Sequence, residues 1–474
     1  MKVIFVQNFS GFHFGIMYLS AILRQNGCDT EVFIGGEHKN IVKEICAAKP
    51  DLIGFTCITG EHRWVQKTAM AIKKNINIPI IVGGPHPTYF PEMIEIEGID
   101  MICRGDGENT VLELVNKLKN NEDICRIAGL WVKKDNQIYK NELAPLIQNL
   151  DELPWPDWDI YQKYSFFREE MEFPVCLARG CPFNCSFCYN AAKKKLYAGQ
   201  KIVRLRSADN IIEEMKILRE KYRRIKMFIF NDDNLGIDLI WFREFCKKYG
   251  NEIALPFFAS IRADFVTEET AALLKYAHCH VVSIGVETGD IALRQKILQK
   301  NISNEQYIKA AYLIKKNNIK LRTSNILFLP GETLAMAFET LALNKKMKTD
   351  APWIFTLQPY PGTEIYRYAV DNGFLGKDFS FDEIDPLGMI ESPLMKNLKD
   401  GRQIKVLQNL FYYGVKITGF DYLLKLLVYI PNNFVFEGLH RFGILLSYAS
   451  YHKMNFQQAF LSSWRAIGVE RRKN

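Results

Sequence analysis

Short runs of β-branched and aromatic residues (KVIFVQ, TEVFIG, DLIGFTCIT, IPIIVGG and IDMICRG) punctuate residues 1 to about 125, with stretches of helical spacing between them. One such stretch, GIMYLSAILRQNG, keeps Ile16, Leu19, Ala21 and Leu23 near one face. Strands that are apolar on both sides are covered on both sides. The alternation therefore predicts a parallel sheet with helices on each face, a doubly wound α/β fold.

The pattern then changes twice. GLWVKKDNQIYKN reads as a hairpin turning at Asp135-Asn136, and LDELPWPDWDIYQKY, broken by Pro154 and Pro156, reads as a linker. From about 172, six strand-like runs (FPVCLA, KMFIFND, LPFFASI, VVSIGVE, KLRTSNILFL, WIFTLQPY) alternate with helices such as SADNIIEEMKILREKY. Six βα units are too few for the closed eightfold barrel and predict a partial (βα)6 one. Beyond about 374 only helical patterns remain. The expected domains are residues 1–150, 151–373 and 374–474, the last a helical C-terminal region that packs on the barrel, lines a substrate pocket or lies on a membrane surface.

Composition alters this picture little. The 474 residues, 48% hydrophobic and 24% charged, suit a globular chain of about three domains. No window reaches the ~18 uncharged apolar residues of a membrane span. The opening MKVIFVQNFSGF does not read as a signal peptide, so a cytoplasmic location is expected, with the eleven cysteines reduced. A net charge of +8, gathered in AAKKKLYAGQKIVRLR, KYRRIK and the terminal ERRKN, is mild for this length and reads as solvated faces.

Chemistry is expected where strands end. In a doubly wound sheet a ligand binds beyond the carboxyl ends. In the first segment these ends carry Gln7 and Asn8, Thr56 to Thr59, GGPHPT (Gly83 to Thr88) and RGDGENT (Arg104 to Thr110). Thr56, Thr59, Gly83, Gly84, His86 and Gly105 are the candidate ligand contacts, since glycine lets backbone approach and hydroxyls and amides bond without charge. After the first barrel strand, ARGCPFNCSFCYN places Cys181, Cys185 and Cys188 within eight positions. A structural zinc site would use paired C-x2-C units and a fourth protein ligand. Three thiols suit a 4Fe-4S cluster with one iron left open. Cys176 lies within a strand and reads as a buried structural thiol.

C-x3-C-x2-C with Phe187 before the last cysteine resembles the cluster loop of the radical S-adenosylmethionine (SAM) superfamily, and FNDDN, SIGVETG, FLPGET and PYPGTEIY fall where its later strands end. With DLIGFTCITG, VGGPHPT and RGDGENT upstream, residues 1 to about 370 are similar to the cobalamin-binding radical SAM family, which includes anaerobic magnesium-protoporphyrin ester cyclases and C-methyltransferases. The D-x-H-x-x-G string that supplies a cobalt ligand in many cobalamin proteins is absent, as is common in this group.

The resemblance implies a 4Fe-4S cluster on Cys181, Cys185 and Cys188, SAM on the open iron, and cobalamin on the first domain. Phe187 would pack on adenine, Ser283 and Glu287 would contact ribose or methionine, and Asp232, with Asp233 and Asn234, would face the same space or cap a helix. The implied reaction is methyl transfer to an unactivated carbon of a small or lipid-like substrate, with an electron donor such as flavodoxin or ferredoxin. The rival is radical oxidative cyclisation or hydroxylation. An RNA methylthiotransferase would carry a second cysteine triad and a terminal β-barrel, so a nucleic-acid partner is not expected.

Overall fold

The computed structural model describes residues 1–376 and 379–452. Two compact units emerge: Met1–Glu170 with Leu196–Ile202, and Met171–Lys195 with the described residues from Val203 onward. The terminal ERRKN lies outside the described residues.

In the first unit β1 (Lys2–Gln7), β2 (Asp29–Ile34), β3 (Leu52–Thr56), β4 (Ile80–Gly83), β5 (Met101–Cys103), β6 (Leu130–Lys134) and β7 (Gln137–Lys140) form one sheet in the order β2-β1-β3-β4-β5-β6-β7. Strands β1 to β5 run parallel, as their apolar runs predict, while β6 and β7 add an antiparallel hairpin. Its turn residues, Asp135 and Asn136, both take the left-handed backbone that a tight hairpin demands. Ile4, Val6, Ile53 and Phe55 pack against Ile45 of helix Ile41–Ala47 and Val65, Ala69 and Ile72 of helix His62–Lys73. Helices Phe14–Gln25 and Glu108–Lys119 pack against each other. The strand order reverses between β1 and β3, which defines a crevice at their carboxyl ends.

The proline-broken stretch after residue 150 is irregular, as expected, yet it is not a free linker. Trp158, Ile160 and Tyr161 are buried, Phe12 packs edge-on to Trp158 and Tyr161, and Tyr161 donates to Gln7 Oε1 at 2.7 Å. Its aromatic residues are worth more packed than solvated.

The second unit continues with β8 (Glu172–Val175), a two-stranded ladder of β9 (Ala178–Arg179) and β10 (Arg204–Leu205), and then β11 (Met227–Phe230), β12 (Phe257–Ser260), β13 (Cys279–Glu287), β14 (Lys320–Leu327) and β15 (Ala351–Thr356). Apart from the ladder these make a six-stranded, all-parallel sheet in the order β8-β11-β12-β13-β14-β15. Ser207, Asp238, Thr267, Ser303, Thr333 and Thr363 each cap the helix that follows by accepting a backbone N–H. That capping makes the strand-to-helix alternation so regular.

The two faces of this sheet differ. On β14, Thr323 and Asn325 turn toward helix Leu334–Lys346 and hydrogen-bond with Asn344, whereas Arg322 and Ser324 lie on the opposite, inner face and are only half-buried. The lower part of that inner face is closed by Tyr448 and Tyr451 at the end of helix Phe434–Tyr451, packed with Phe258, Val281 and Ala351. Helix Gly401–Lys416 joins the core through Ile404, Leu407 and Leu410, which pack with Leu341 and Ile354. Among the described residues no helix is long and apolar enough to cross a membrane.

One buried ion pair governs the entry to the site. Arg206 Nη1 donates to Glu214 Oε2 at 2.5 Å and to the Cys176 carbonyl at 3.0 Å, with both charged side chains 3% exposed. Arg206→Met should lower stability by about 3 kcal/mol, because it leaves Glu214 charged in the interior, and adding Glu214→Leu should restore most of the loss. Denaturation midpoints followed by tryptophan fluorescence check this, and single and double variants of equal stability would contradict it.

Candidate functional site

The cysteine loop begins where β8 ends. Leu177 and Ala178 donate their backbone N–H groups to the Asp232 carboxyl at 3.1 and 2.5 Å, and Gly180 turns the chain with a φ of +88°. Cys181, Cys185 and Cys188 follow, all half-buried. Lys194 Nζ donates to Pro182 O and Asn184 Oδ1, both at 2.8 Å, closing the first half of the loop. Ser186 fastens the second half: its N–H reaches Leu298 O at 3.1 Å, its hydroxyl Ile297 O at 2.5 Å, and its carbonyl accepts from Ile365 N at 3.0 Å.

Burial pushes all three thiols above their ordinary range, Cys188 to about 11. At Cys185 the positive charges of Lys300 and Arg262 pull the other way. Such thiols are neutral until something positive claims them, and a coordinating metal deprotonates a thiol outright. Among the described residues no three His, Cys, Asp or Glu side chains converge on a single ion position. Thiols that each hold a different iron of a cluster have no need to converge.

Around the loop the strand ends supply charge. Glu287, closing β13, is buried in the left-handed region at φ +64°, and Lys300 Nζ binds its Oε1 at 2.9 Å and Gly285 O at 2.5 Å. A non-glycine residue held there stores strain that its partner must hold in place. Arg262, after β12, lies with its guanidinium 3.5 Å from the Phe183 ring centre and Nη1 4.0 Å from Cys185 Sγ, while its backbone N–H donates to Asn234 Oδ1 at 2.8 Å. Phe187 is half-buried against Leu293, Leu298, Ile326 and Ile365. Ser283 lies deeper, paired in register with Ser260.

Asp232 occupies a different place from a cofactor contact. It is 7% exposed, spends its oxygens on the backbone of Leu177 and Ala178, and burial pushes it up to about 8. Its neighbour Asp233 is the exposed carboxyl, interacting with Asn190 and Lys193 of helix Tyr189–Leu196. Arg262 and Lys300 were not foreseen. The position of Arg262 just after a strand, in ASIRADF, could have signalled it. Lys300 gave no signal, since a π-helix at Leu293–Ile297 separates it from Glu287.

In the first unit the expected strand-end residues meet, though several turn inward. Cys57 N donates to Gly83 O at 2.8 Å, His86 N to Cys57 O at 3.1 Å, and Thr56 pairs with Gly83 in register. Gly84 has φ +106°, and a Cβ there would lie 2.7 Å from Cys57 O, so the residue is needed for backbone packing. Thr59 and His86 are buried and share a 3.0 Å hydrogen bond, Thr59 Oγ1 to His86 Nδ1, and the His86 ring stacks on His62 at 4.6 Å. Gly105 is covered: a Cβ there would lie 1.8 Å from the Tyr197 hydroxyl. Glu61, 3% exposed beside this crevice, has one carboxyl oxygen without a partner among the described residues, and burial pushes it up to about 7.

The Radical SAM superfamily model matches residues 175–343, and the B12 binding domain model matches residues 3–115. An uncharacterized methyltransferase of Pyrococcus horikoshii is 31% identical over 76% of this chain and 79% of its own length. The chain belongs to the cobalamin-binding radical SAM family. An anaerobic magnesium-protoporphyrin IX monomethyl ester cyclase of Rubrivivax gelatinosus is 26% identical over 74% of this chain and 65% of its own length. The solved radical SAM methyltransferase TsrM from Kitasatospora setae, with cobalamin and a [4Fe-4S] cluster bound, shares the fold, with a TM-score of 0.69 at 14% identity over 99% of this chain and 98% of that one.

This radical SAM enzyme uses a 4Fe-4S cluster, SAM and cobalamin. Its residues fit them. Three half-buried thiols with cationic neighbours suit a cluster, and the β1/β3 crevice with the unpartnered Glu61 oxygen suits an amide-rimmed corrin. At the end of β1 the Gln7 amide N–H groups are consumed by Phe9 O and Gly11 O, at 2.6 and 2.9 Å, and are not free for a ligand.

Glu61 and Asp232 hold their protons more tightly folded than unfolded. Their contribution to stability is complete below about pH 4 and is lost as pH rises through about 7 and 8. Glu61→Gln should therefore flatten the fall in melting temperature between pH 5 and 8 by a few degrees, since each kcal/mol moves it about 2–4 °C. Parallel pH profiles for the variant and the parent protein would contradict this.

Proposed function

We propose that this enzyme transfers a methyl group from SAM to an unactivated carbon of a small, largely apolar substrate. The kinship that carries the reading is the Pyrococcus relative, which bears the name methyltransferase and matches across both units. When bound, the cluster supplies the electron that cleaves the SAM sulfonium, and cobalamin supplies the methyl carrier.

The chain's own residues then have defined tasks. Cys181, Cys185 and Cys188 hold the cluster and leave one iron for SAM. Arg262, whose Nε and Nη2 are held by Asp264 at 3.1 and 2.9 Å, turns Nη1 toward Cys185 and offers that donor to the methionine carboxylate. Asp233 takes the methionine ammonium, and Asp232 holds the loop in register. Glu287, fixed by Lys300, bonds ribose, and Phe187 walls the adenine site. The inner face of the barrel sheet, with Ile229, Ser324 and Phe355 half-buried, supports an apolar substrate with few polar contacts. Thr56 and Gly83, at the β3 and β4 ends, border the cobalamin crevice.

A low-potential flavodoxin or ferredoxin in the cytoplasm would supply electrons. Peripheral contact with a membrane surface is supported by the stretch around helix Phe420–Leu427, where Leu426 is 71% and Phe434 83% exposed beside Tyr422 and Tyr429. The cyclase relative favours a second reading, oxidative cyclisation.

Product mass decides between them. Anaerobic turnover with methyl-labelled SAM should yield a product carrying the labelled methyl, and Cys185→Ala should abolish it. A product that has lost hydrogen or gained oxygen without label would overturn methyl transfer in favour of the cyclase reading.

A further inference from the structure

The inner face of the six-stranded sheet carries a cation with no acidic partner among the described residues. Arg322 sits near the start of β14, on the same face as its in-register neighbours Ala351 and Ser283, and Ser324 and Ile326 continue that face toward the carboxyl end. Its guanidinium carbon lies 4.7 Å from the Trp353 ring centre, 5.5 Å from Phe258 and 5.8 Å from Tyr451. Its Nε is buried without an acceptor, and no hydrogen bond or ion pair engages the guanidinium among the described residues. The adjacent Trp353 indole N–H is likewise buried without an acceptor.

Several buried cations of this unit are matched by anions or carbonyls. Arg206 has Glu214, Lys300 has Glu287, and Arg294 has the carbonyls of Thr288, Gly289 and Ile302. The carboxylate that shares the Tyr451 surroundings, Glu172, is engaged by His452 Nδ1. An aromatic cage favours a cation, yet leaves its N–H groups unspent, and buried donors without acceptors are costly.

We propose that Arg322 anchors the substrate by an anionic group, a carboxylate or a phosphate. The inference rests on the barrel being the catalytic unit and narrows its substrate class. The anion would sit low on the inner face, above the floor made by Tyr448 and Tyr451, with its apolar part running along Ser324, Phe355 and Ile229 toward the strand ends. Five residues of β14 separate Arg322 from its carboxyl end, about 16 Å at roughly 3.3 Å per residue, which suits an elongated molecule with its anion remote from the reacting carbon. Arginine serves this purpose better than lysine, because its planar fork meets either anion with two parallel hydrogen bonds.

Direct binding tests the assignment without turnover. Octanoate, octyl phosphate and neutral octanol are titrated calorimetrically into the full-length, cofactor-loaded enzyme. At least one anion should bind about tenfold or more tightly than octanol, the range expected of a hydrogen-bonded charge. Which anion wins distinguishes carboxylate from phosphate. Arg322→Met should erase the preference and Arg322→Lys should retain part of it. An equal affinity for all three probes, or a preference that survives in Arg322→Met, overturns the assignment. Failure of methyl transfer would show in product mass and leave this binding result standing.

Discussion

The candidate catalytic geometry hangs on how the chain leaves β8. Two buried side chains from later in the sequence, Asp232 and Arg206, seize the backbone of Cys176 to Ala178, one by its N–H groups and the other by its carbonyl. A loop of eight residues bearing three thiols has no regular structure of its own to define it. Its geometry is borrowed from this clamp at one end and from Ser186, Lys194 and Ile365 along its length. Both clamp residues are costly to bury, which ties the position of the loop to the folding of the whole sheet.

From that clamp the electrostatics of the mouth follow. Asp232 is spent on structure, so the carboxyl open to a ligand is Asp233, and the cationic side comes from Arg262 and Lys300. Lys300 compensates Glu287, whose left-handed backbone would otherwise have little to hold it. Positive charge beside Cys185 favours thiolates and anionic ligands alike. In the first unit the same economy appears, with Gln7, Thr59 and His86 consumed by internal hydrogen bonds and one Glu61 oxygen left without a partner among the described residues.

Much of this was legible in the sequence, and the boundary of legibility is physical. Strands buried on both faces and helices with side-chain caps write regular patterns, so both parallel sheets and the cysteine loop could be read directly. Side-chain direction could not. Asp232 and Asp233 are adjacent and chemically identical, and which of them turns inward is decided by backbone donors some fifty residues away. Gly105 carries the glycine expected of a ligand approach, yet its open space is filled by Tyr197, a partner that no local pattern announces. Lys300 and Arg322 are invisible for the same reason, since their meaning lies in what they face across strands.

An iron left open to SAM by the three-cysteine loop is what the proposed chemistry requires. Electron paramagnetic resonance of the anaerobically reconstituted, reduced protein tests it most directly, with and without SAM labelled in its amino nitrogen and carboxylate oxygens. With an open iron, SAM should shift the cluster signal and the labelled atoms should couple magnetically to it. A cluster signal indifferent to SAM, with no coupling to the labels, would contradict it.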